Sequence, residues 1–148
     1  MTTYIRNKKA RFDFEILEEF EAGVVLSGHE VKSIRAGKGK LDGAHVKLYD
    51  GETVLIGSSI SPYQVANTPK DYEPERARQL LFKKKELAHL ERELTTARLT
   101  IVPISWYDNS GKIKLKVGLA RGKKKADKRE SIKARDTKRD IDRELKGR

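Results

Sequence analysis

The feature that most constrains this chain is where its aromatic residues stop: every one of its four Phe, five Tyr and one Trp lies before Asp108. A packed core needs large apolar side chains, and beyond that point the chain offers few. From Arg121 to Arg148 there are 13 Lys or Arg against 6 Asp or Glu, a net charge of +7 over 28 residues. The whole chain of 148 residues has 33 against 22, so its first 120 residues hold 20 and 16, a net of only +4. The division this predicts is a modestly basic globular body over residues 1–120 and a strongly basic tail over 121–148. Ile132, Ile141 and Leu145 are the large apolar residues of that tail. Such a segment buries too little to offset its ordering entropy. It is expected to be disordered in solution and helical when docked on a partner, a state that Asp142 and Lys146 at helical spacing would support.

A formal net charge of +11 favours a polyanion as partner, because neutralised phosphates release counterions. An acidic protein or an anionic membrane surface would also satisfy the sign. The chain has no cysteine, which excludes disulfides and thiolate metal sites. No apolar run approaches the roughly 20 residues that cross a bilayer, and Met1 to Arg11 contains no hydrophobic region of the signal-peptide kind. A soluble, cytoplasmic protein without a membrane partner is the expectation.

Within the body, Phe12, Phe14 and Ile16 alternate with polar neighbours as in a half-buried strand. Glu21-Ala22-Gly23 is expected to interrupt it before Val24-Val25-Leu26 resumes as a short strand. A helical segment follows over His29 to Ala36, with Val31 and Ile34 on one face and Gly37 as C-terminal cap. Asp50-Gly51 between Val46, Leu48 and Thr53-Val54-Leu55-Ile56 is a hairpin signal. Pro62, Pro69 and Pro74 mark Ser61 to Glu75 as a long exposed loop. Glu75 to about Ala97 turns helical in composition, with Leu87, Leu90 and Leu94 in one apolar stripe. Leu99 to Trp106 and Ile113 to Leu119 are predicted strands joined by Asp108-Asn109-Ser110-Gly111. Several short strands with one or two helices suggest a mainly β fold, a small closed barrel with flanking helices, since closure removes exposed edges.

Catalytic signals are weak. His29, His45 and His89 are scattered and have no cysteine partners, a poor ligand set for zinc. Gly23 and Gly28 have phosphate-loop spacing, but His29-Glu30 replaces the required Lys-Ser/Thr. Glu15, Glu18, Glu19 and Glu21 cluster, with Glu30 a short strand later; a pair among them could do acid–base work, as Glu21 and Glu30 would in a small nuclease. The same two residues suit recognition equally, because a carboxylate accepts hydrogen bonds from base amino groups while repelling bare phosphate. Tyr63 and Tyr72 in the proline-rich loop are candidate stacking platforms; Phe12, Phe14, Trp106 and Tyr107 read as core or partly buried. A ribosomal protein whose basic tail fills RNA crevices is a further reading that the charge layout allows.

Some stretches carry more than composition. They are Asn7-Lys8-Lys9-Ala10, Phe20-Glu21-Ala22-Gly23-Val24, Gly28 through Arg35, and Gly118-Leu119-Ala120-Arg121-Gly122-Lys123-Lys124 ending in Asp127-Lys128-Arg129. Pro62-Tyr63, the Pro-x-Arg-x-Arg run from Pro74 to Arg78 and Leu80-Leu81 fall in register between them. In this order, over nearly the whole chain, they resemble the small protein B (SsrA-binding protein) family of bacteria. The resemblance implies a Greek-key barrel of the oligonucleotide-binding type. It implies a non-enzymatic, monomeric factor of trans-translation that needs no cofactor or metal. Such a factor binds the tRNA-like domain of transfer-messenger RNA and, with elongation factor Tu on that RNA, delivers it to stalled ribosomes. Asn7, Lys8, Lys9, Glu21, Ala22, Gly23, Glu30, Lys32 and Arg35 would form or support the RNA-binding face. Gly122, Lys123, Lys124, Asp127, Lys128, Arg129, Lys133, Arg135, Lys138 and Arg139 would probe the decoding site and vacant mRNA channel of the small subunit. Ala126 departs from the family, which usually carries an aromatic or histidine ring there.

Overall fold

The computed structural model describes residues 1–123. Among these residues nine strands and three α-helices follow one another as β1 (Thr2–Arg6), α1 (Ala10–Asp13), β2 (Phe14–Val24), α2 (Gly28–Arg35), β3 (Gly39–Lys40), β4 (His45–Tyr49), β5 (Glu52–Ile56), β6 (Ser59–Ile60), β7 (Arg78–Leu81), α3 (Lys84–Thr96), β8 (Thr100–Asn109) and β9 (Lys112–Gly122), with a 3-10 turn at Val65–Asn67. The fold is mainly β with a few helices. Seven strands are ordered β1-β8-β4-β5-β7-β2-β9, and a further β8–β9 pairing brings the sheet round on itself. All the pairings are antiparallel. Strands β3 and β6 form a separate two-stranded ribbon.

The interior follows from the alternation. Along β9, Ile113, Leu115, Val117 and Leu119 point inward, and along β8 Trp106 is fully buried. Both belong to one core cluster with Val46, Leu55 and Leu80 from the intervening strands. Ile34 of α2 and Leu90 of α3 join the same cluster, the buried members of their amphipathic stripes. Gly118 is where β2 and β8 crowd β9: an added Cβ would stand 2.9 Å from Ile16 Cγ2 and 3.0 Å from Ile104 Cδ1. Any larger residue there requires the Ile16 and Ile104 side chains to shift.

Several expectations hold. Asp50 and Gly51 both take positive φ, 48° and 76°, the tight hairpin turn between β4 and β5. Gly37 at φ 73° ends α2, its N–H bonding Ile34 O. Others need correction. Phe12 lies in the short helix α1, and β2 runs unbroken through Glu21-Ala22-Gly23. Gly23 stays in the strand because its cross-strand partner is Leu81, whose Cβ lies 3.4 Å from where a glycine Cβ would be. The helix expected from Glu75 begins only at Lys84; Leu80 and Leu81 belong to β7, which bridges β5 and β2. Two adjacent leucines fit either period, and pairing with two strands settles which wins. Strand β9 reaches Gly122, so Arg121 and Gly122, assigned to the tail by composition, pair with Glu15 and Phe14 in the sheet.

Candidate nucleic-acid interface

Strand β9 alternates buried Ile113, Leu115 and Val117 with Lys112, Lys114 and Lys116. A period of two sets these three cations on one outer face. Glu21 of β2 lies directly opposite Lys116, and Tyr107 of β8 opposite Lys114. Across this face Glu21 Oε1 accepts two hydrogen bonds, from Tyr107 OH at 2.5 Å and Asn109 Nδ2 at 2.8 Å. Lys116 Nζ sits 5.5 Å from the centre of the Tyr107 ring. The bonds from Tyr107 and Asn109, aided by Lys114 and Lys83 and opposed by slight burial, lower the carboxyl pKa of Glu21 from its ordinary value. Burial and the bond to Glu21 raise that of the Tyr107 hydroxyl. The pair is therefore carboxylate with neutral phenol at any physiological pH.

Asn7 occupies one end of the face through a local irregularity. Pro103 lacks an N–H, and the β8–β9 register shifts between Pro103 and Ser105, leaving Ile104 as the extra residue. Ile104 O then accepts the Asn7 backbone N–H at 2.8 Å, and Pro103 O accepts Asn7 Nδ2 at 2.9 Å. Asn7 Oδ1 is buried with no protein partner among the described residues. Arg6, Asn7, Lys8, Arg11, Ser105 and Lys116 line a cleft of about 330 Å³. Glu19 ties two of its cations, meeting Arg11 at 2.5 Å and Lys116 at 3.8 Å.

At the other end lies an open groove of about 360 Å³ with an apolar floor of Val24, Leu26, Val31, Leu81 and Ile113. Gly23, Arg35, Lys112 and Lys114 also line it. Arg35 is anchored to the β8–β9 turn, bonding Gly111 O at 3.0 Å and Asp108 Oδ1 at 3.5 Å. Leu81 is 52% exposed in this cationic setting, where a flat apolar ligand surface can rest while phosphates meet the rim.

Glu30 is placed quite differently. Its side chain is fully buried. Oε2 accepts Arg78 Nη2 and Nε at 2.8 and 3.0 Å and Tyr72 OH at 3.2 Å, while Oε1 accepts the Ser27 N–H and hydroxyl, each at 3.0 Å, and pairs with Arg76. Arg78, also fully buried, reaches Ser58, Arg76 O and Pro74 O as well. Desolvation pushes the Glu30 carboxyl pKa up, but Arg76, the Ser27 amide and Arg78 outweigh it and bring it down to about 2. This carboxylate has no oxygen left for RNA or for a catalytic partnership with Glu21. Its work is to pin the proline-rich loop to α2 and β7, through Tyr72, Arg76 and Arg78.

Of the remaining residues singled out by sequence, Ala22 is buried and supports the face from inside. Lys8, Lys9 and Lys32 are exposed, Lys9 at the start of α1 and Lys32 on α2. Lys123 bonds back to α1, its N–H to Asp13 O and its Nζ to Arg11 O. Lys124, Asp127, Lys128, Arg129, Lys133, Arg135, Lys138 and Arg139, and with them the expected disorder and docked helix of the tail, lie outside the described residues. Sequence reasoning missed Arg6, Arg11, Tyr107, Asn109, Lys112, Lys114 and Lys116. The last three were visible as a Lys-x-Lys-x-Lys period in a predicted strand. Among the described residues no group of three or more His, Asp or Glu is arranged to hold a metal. Nor is any helix of these residues long and apolar enough to cross a membrane.

A small antiparallel β protein with a face rich in Arg and Lys, Glu21 pinned within it, Glu19 tied to two of its cations and an apolar-floored groove at its side has the build of a polyanion-binding protein of the nucleic-acid class. Residues 4–147 match the family described as SmpB protein. The SsrA-binding protein of Synechococcus sp. (strain JA-3-3Ab) is 46% identical over 146 residues, covering 99% of this chain and 95% of the relative. That of Streptococcus pyogenes serotype M3 (strain ATCC BAA-595 / MGAS315) is 45% identical over 141 residues, covering 95% and 90%. A solved structure described as "tmRNA-SmpB: a journey to the center of the bacterial ribosome" is similar with a TM-score of 0.67 and 41% identity, over 86% of this chain and 93% of the other. The chain belongs to the SmpB family.

Proposed function

We propose that this protein is an RNA-binding factor of trans-translation that binds transfer-messenger RNA and takes it to stalled ribosomes. The observation that carries the reading is the outer face of β2, β8 and β9. Lys112, Lys114, Lys116 and Arg35 supply phosphate contacts there, and Glu21 supplies a hydrogen-bond acceptor that phosphate cannot use. The names of the relatives, SsrA-binding protein, agree with it. In finer detail, the closed sheet is read as a Greek-key barrel of the oligonucleotide-binding type, and its RNA target as the tRNA-like domain. The 121–148 segment is read as the part that probes the decoding site and vacant mRNA channel, with elongation factor Tu carried on the same RNA. The protein is read as a cytoplasmic monomer and as a binding factor rather than an enzyme, and the burial of Glu30 among its partners speaks against a catalytic pairing with Glu21.

The deciding experiment compares transfer-messenger RNA with an unrelated RNA of equal length across a salt titration. Both complexes weaken with salt, since phosphates dominate affinity. A large advantage for the cognate RNA near physiological salt is the expected result; coincident curves would leave only a generic basic domain. Deleting Ser131 to Arg148 should spare binding of the RNA to the body and abolish rescue on ribosomes. Loss of RNA affinity on that deletion would refute the division into body and tail.

A further inference from the structure

We propose that Tyr107 and Asn109 are positioning residues for RNA recognition: they pin Oε1 of Glu21 so that Oε2 is presented to a hydrogen-bond donor of a nucleoside, an exocyclic amino group or a ribose 2′-hydroxyl. The inference rests on the reading above that this face binds the RNA. A glutamate on an RNA-binding face is at first sight a liability, since it repels every phosphate that the neighbouring lysines attract. It becomes useful only if it is held where a donor, not a phosphate, will arrive. An exposed glutamate left to itself samples many rotamers and loses that freedom on binding.

Here the freedom is already removed. Both bonds converge on the same oxygen, from residues 86 and 88 positions away in sequence. Tyr107 is only 6% exposed, and Lys116 lies over its ring, so its hydroxyl is a fixed point rather than a mobile one. The Asn109 amide is oriented in turn by Ser110 Oγ, which donates to its Oδ1 at 3.4 Å. Among the described residues Oε2 of Glu21 receives no hydrogen bond, and Glu21 is exposed. The result is one saturated oxygen facing the protein and one vacant oxygen facing the ligand. The neutral state of Tyr107 and the ionised state of Glu21 agree with this polarity, in which Tyr107 always donates. Selectivity follows: a nucleoside donor gains a charge-assisted bond, whereas a phosphate at the same point is repelled.

The test uses the full chain with transfer-messenger RNA and with unrelated RNA of equal length. The variants are Tyr107→Phe, Asn109→Ala, Glu21→Gln and the Tyr107→Phe/Glu21→Gln double. Tyr107→Phe keeps the buried ring and removes only the donor. It should lower cognate affinity by about tenfold, the usual worth of a bond to a charged group, and leave unrelated RNA unchanged. Asn109→Ala should act in the same direction. The double variant should be no weaker than Glu21→Gln alone, because the acceptor oxygen that Tyr107 serves to present is already gone. Losses that multiply in the double variant, or a Tyr107→Phe affinity equal to wild type, would overturn the inference while leaving the RNA-binding reading intact. A Glu21→Gln protein with undiminished cognate affinity would instead remove this face from the site, and the inference with it. Cognate RNAs carrying base analogues without the exocyclic amino group, or 2′-deoxyribose, then identify the donor. One such substitution should weaken wild type but not Glu21→Gln; if none does, Oε2 has no donor and the proposal fails.

Discussion

Glu21 and Glu30 stand nine positions apart in a basic chain, and nothing in their types predicts how differently they are used. Glu30, on α2, is sealed among Ser27, Tyr72, Arg76 and Arg78 with every oxygen occupied. Glu21, an exposed residue of β2, has one oxygen held by Tyr107 and Asn109 and the other without a hydrogen bond among the described residues. Both have lowered pKa values, but for different ends. In one, cations offset the cost of burial; in the other, two neutral donors aim an exposed charge. A carboxylate in a polyanion-binding protein thus serves either by disappearing into the fold or by being fixed at its surface. Its partners, not its neighbours in sequence, decide which.

The comparison breaks most visibly at Glu30. Glu30→Ala leaves Arg78 buried and unpaired, a change that costs about 3–5 kcal/mol, enough to unfold much of the population; denaturant melts with the Glu21→Ala protein as control measure it. A wild-type-like midpoint for Glu30→Ala would mean that the buried pair is not a clamp. Acid should act next. Glu30 ionises at about 2 when folded against an ordinary 4.5, so its folded pKa is depressed. Its contribution, on the order of 3 kcal/mol, is complete above the unfolded pKa and is lost as pH falls through the folded one. Urea midpoints should therefore drop from about pH 4.5 downward, and the drop should be clearly smaller in Glu30→Gln, where the lesser share of Glu21 remains.

For Glu21 the expectation reverses. Glu21→Ala should cost less stability than Glu30→Ala, about 1–2 kcal/mol, because it leaves the part-buried Tyr107 hydroxyl without its acceptor. It should reduce affinity for transfer-messenger RNA by on the order of tenfold or more, read by filter binding or anisotropy. The smallest effect belongs to the rim. Lys112→Ala should weaken cognate and unrelated RNA alike and flatten the salt slope by about one ion, so that a cognate-specific loss would move Lys112 from phosphate contact to base readout.

What the sequence disclosed followed local chemistry. Asp50-Gly51, Gly37 and the Leu87-Leu90-Leu94 stripe announce a turn, a cap and a helix face through their own side chains, and all three appear where expected. What stayed hidden depends on pairing at a distance. Arg78 meets Glu30 across 48 residues, and Tyr107 meets Glu21 across 86; no periodicity carries such information. Gly23 read as a breaker because a glycine alone gives no sign of a cross-strand partner, and its pairing with Leu81 lies 58 residues away. The start of α2 offered a signal that went unused, since Ser27-x-x-Glu30 is the spacing in which a carboxylate returns to the amide that opens the helix.

The late strand β9 has a consequence for how this molecule comes into being. It closes the ring by pairing with β2 near one end of the body and β8 near the other, so the most distant partners in the chain meet last. Contacts of such long sequence range make folding slow, and a nascent copy halted before Lys112 keeps two bare strand edges. Such a copy is open to aggregation rather than partly active. A protein proposed to attend ribosomes that run out of message therefore reaches its working shape only once its own translation has passed the last strand of the body.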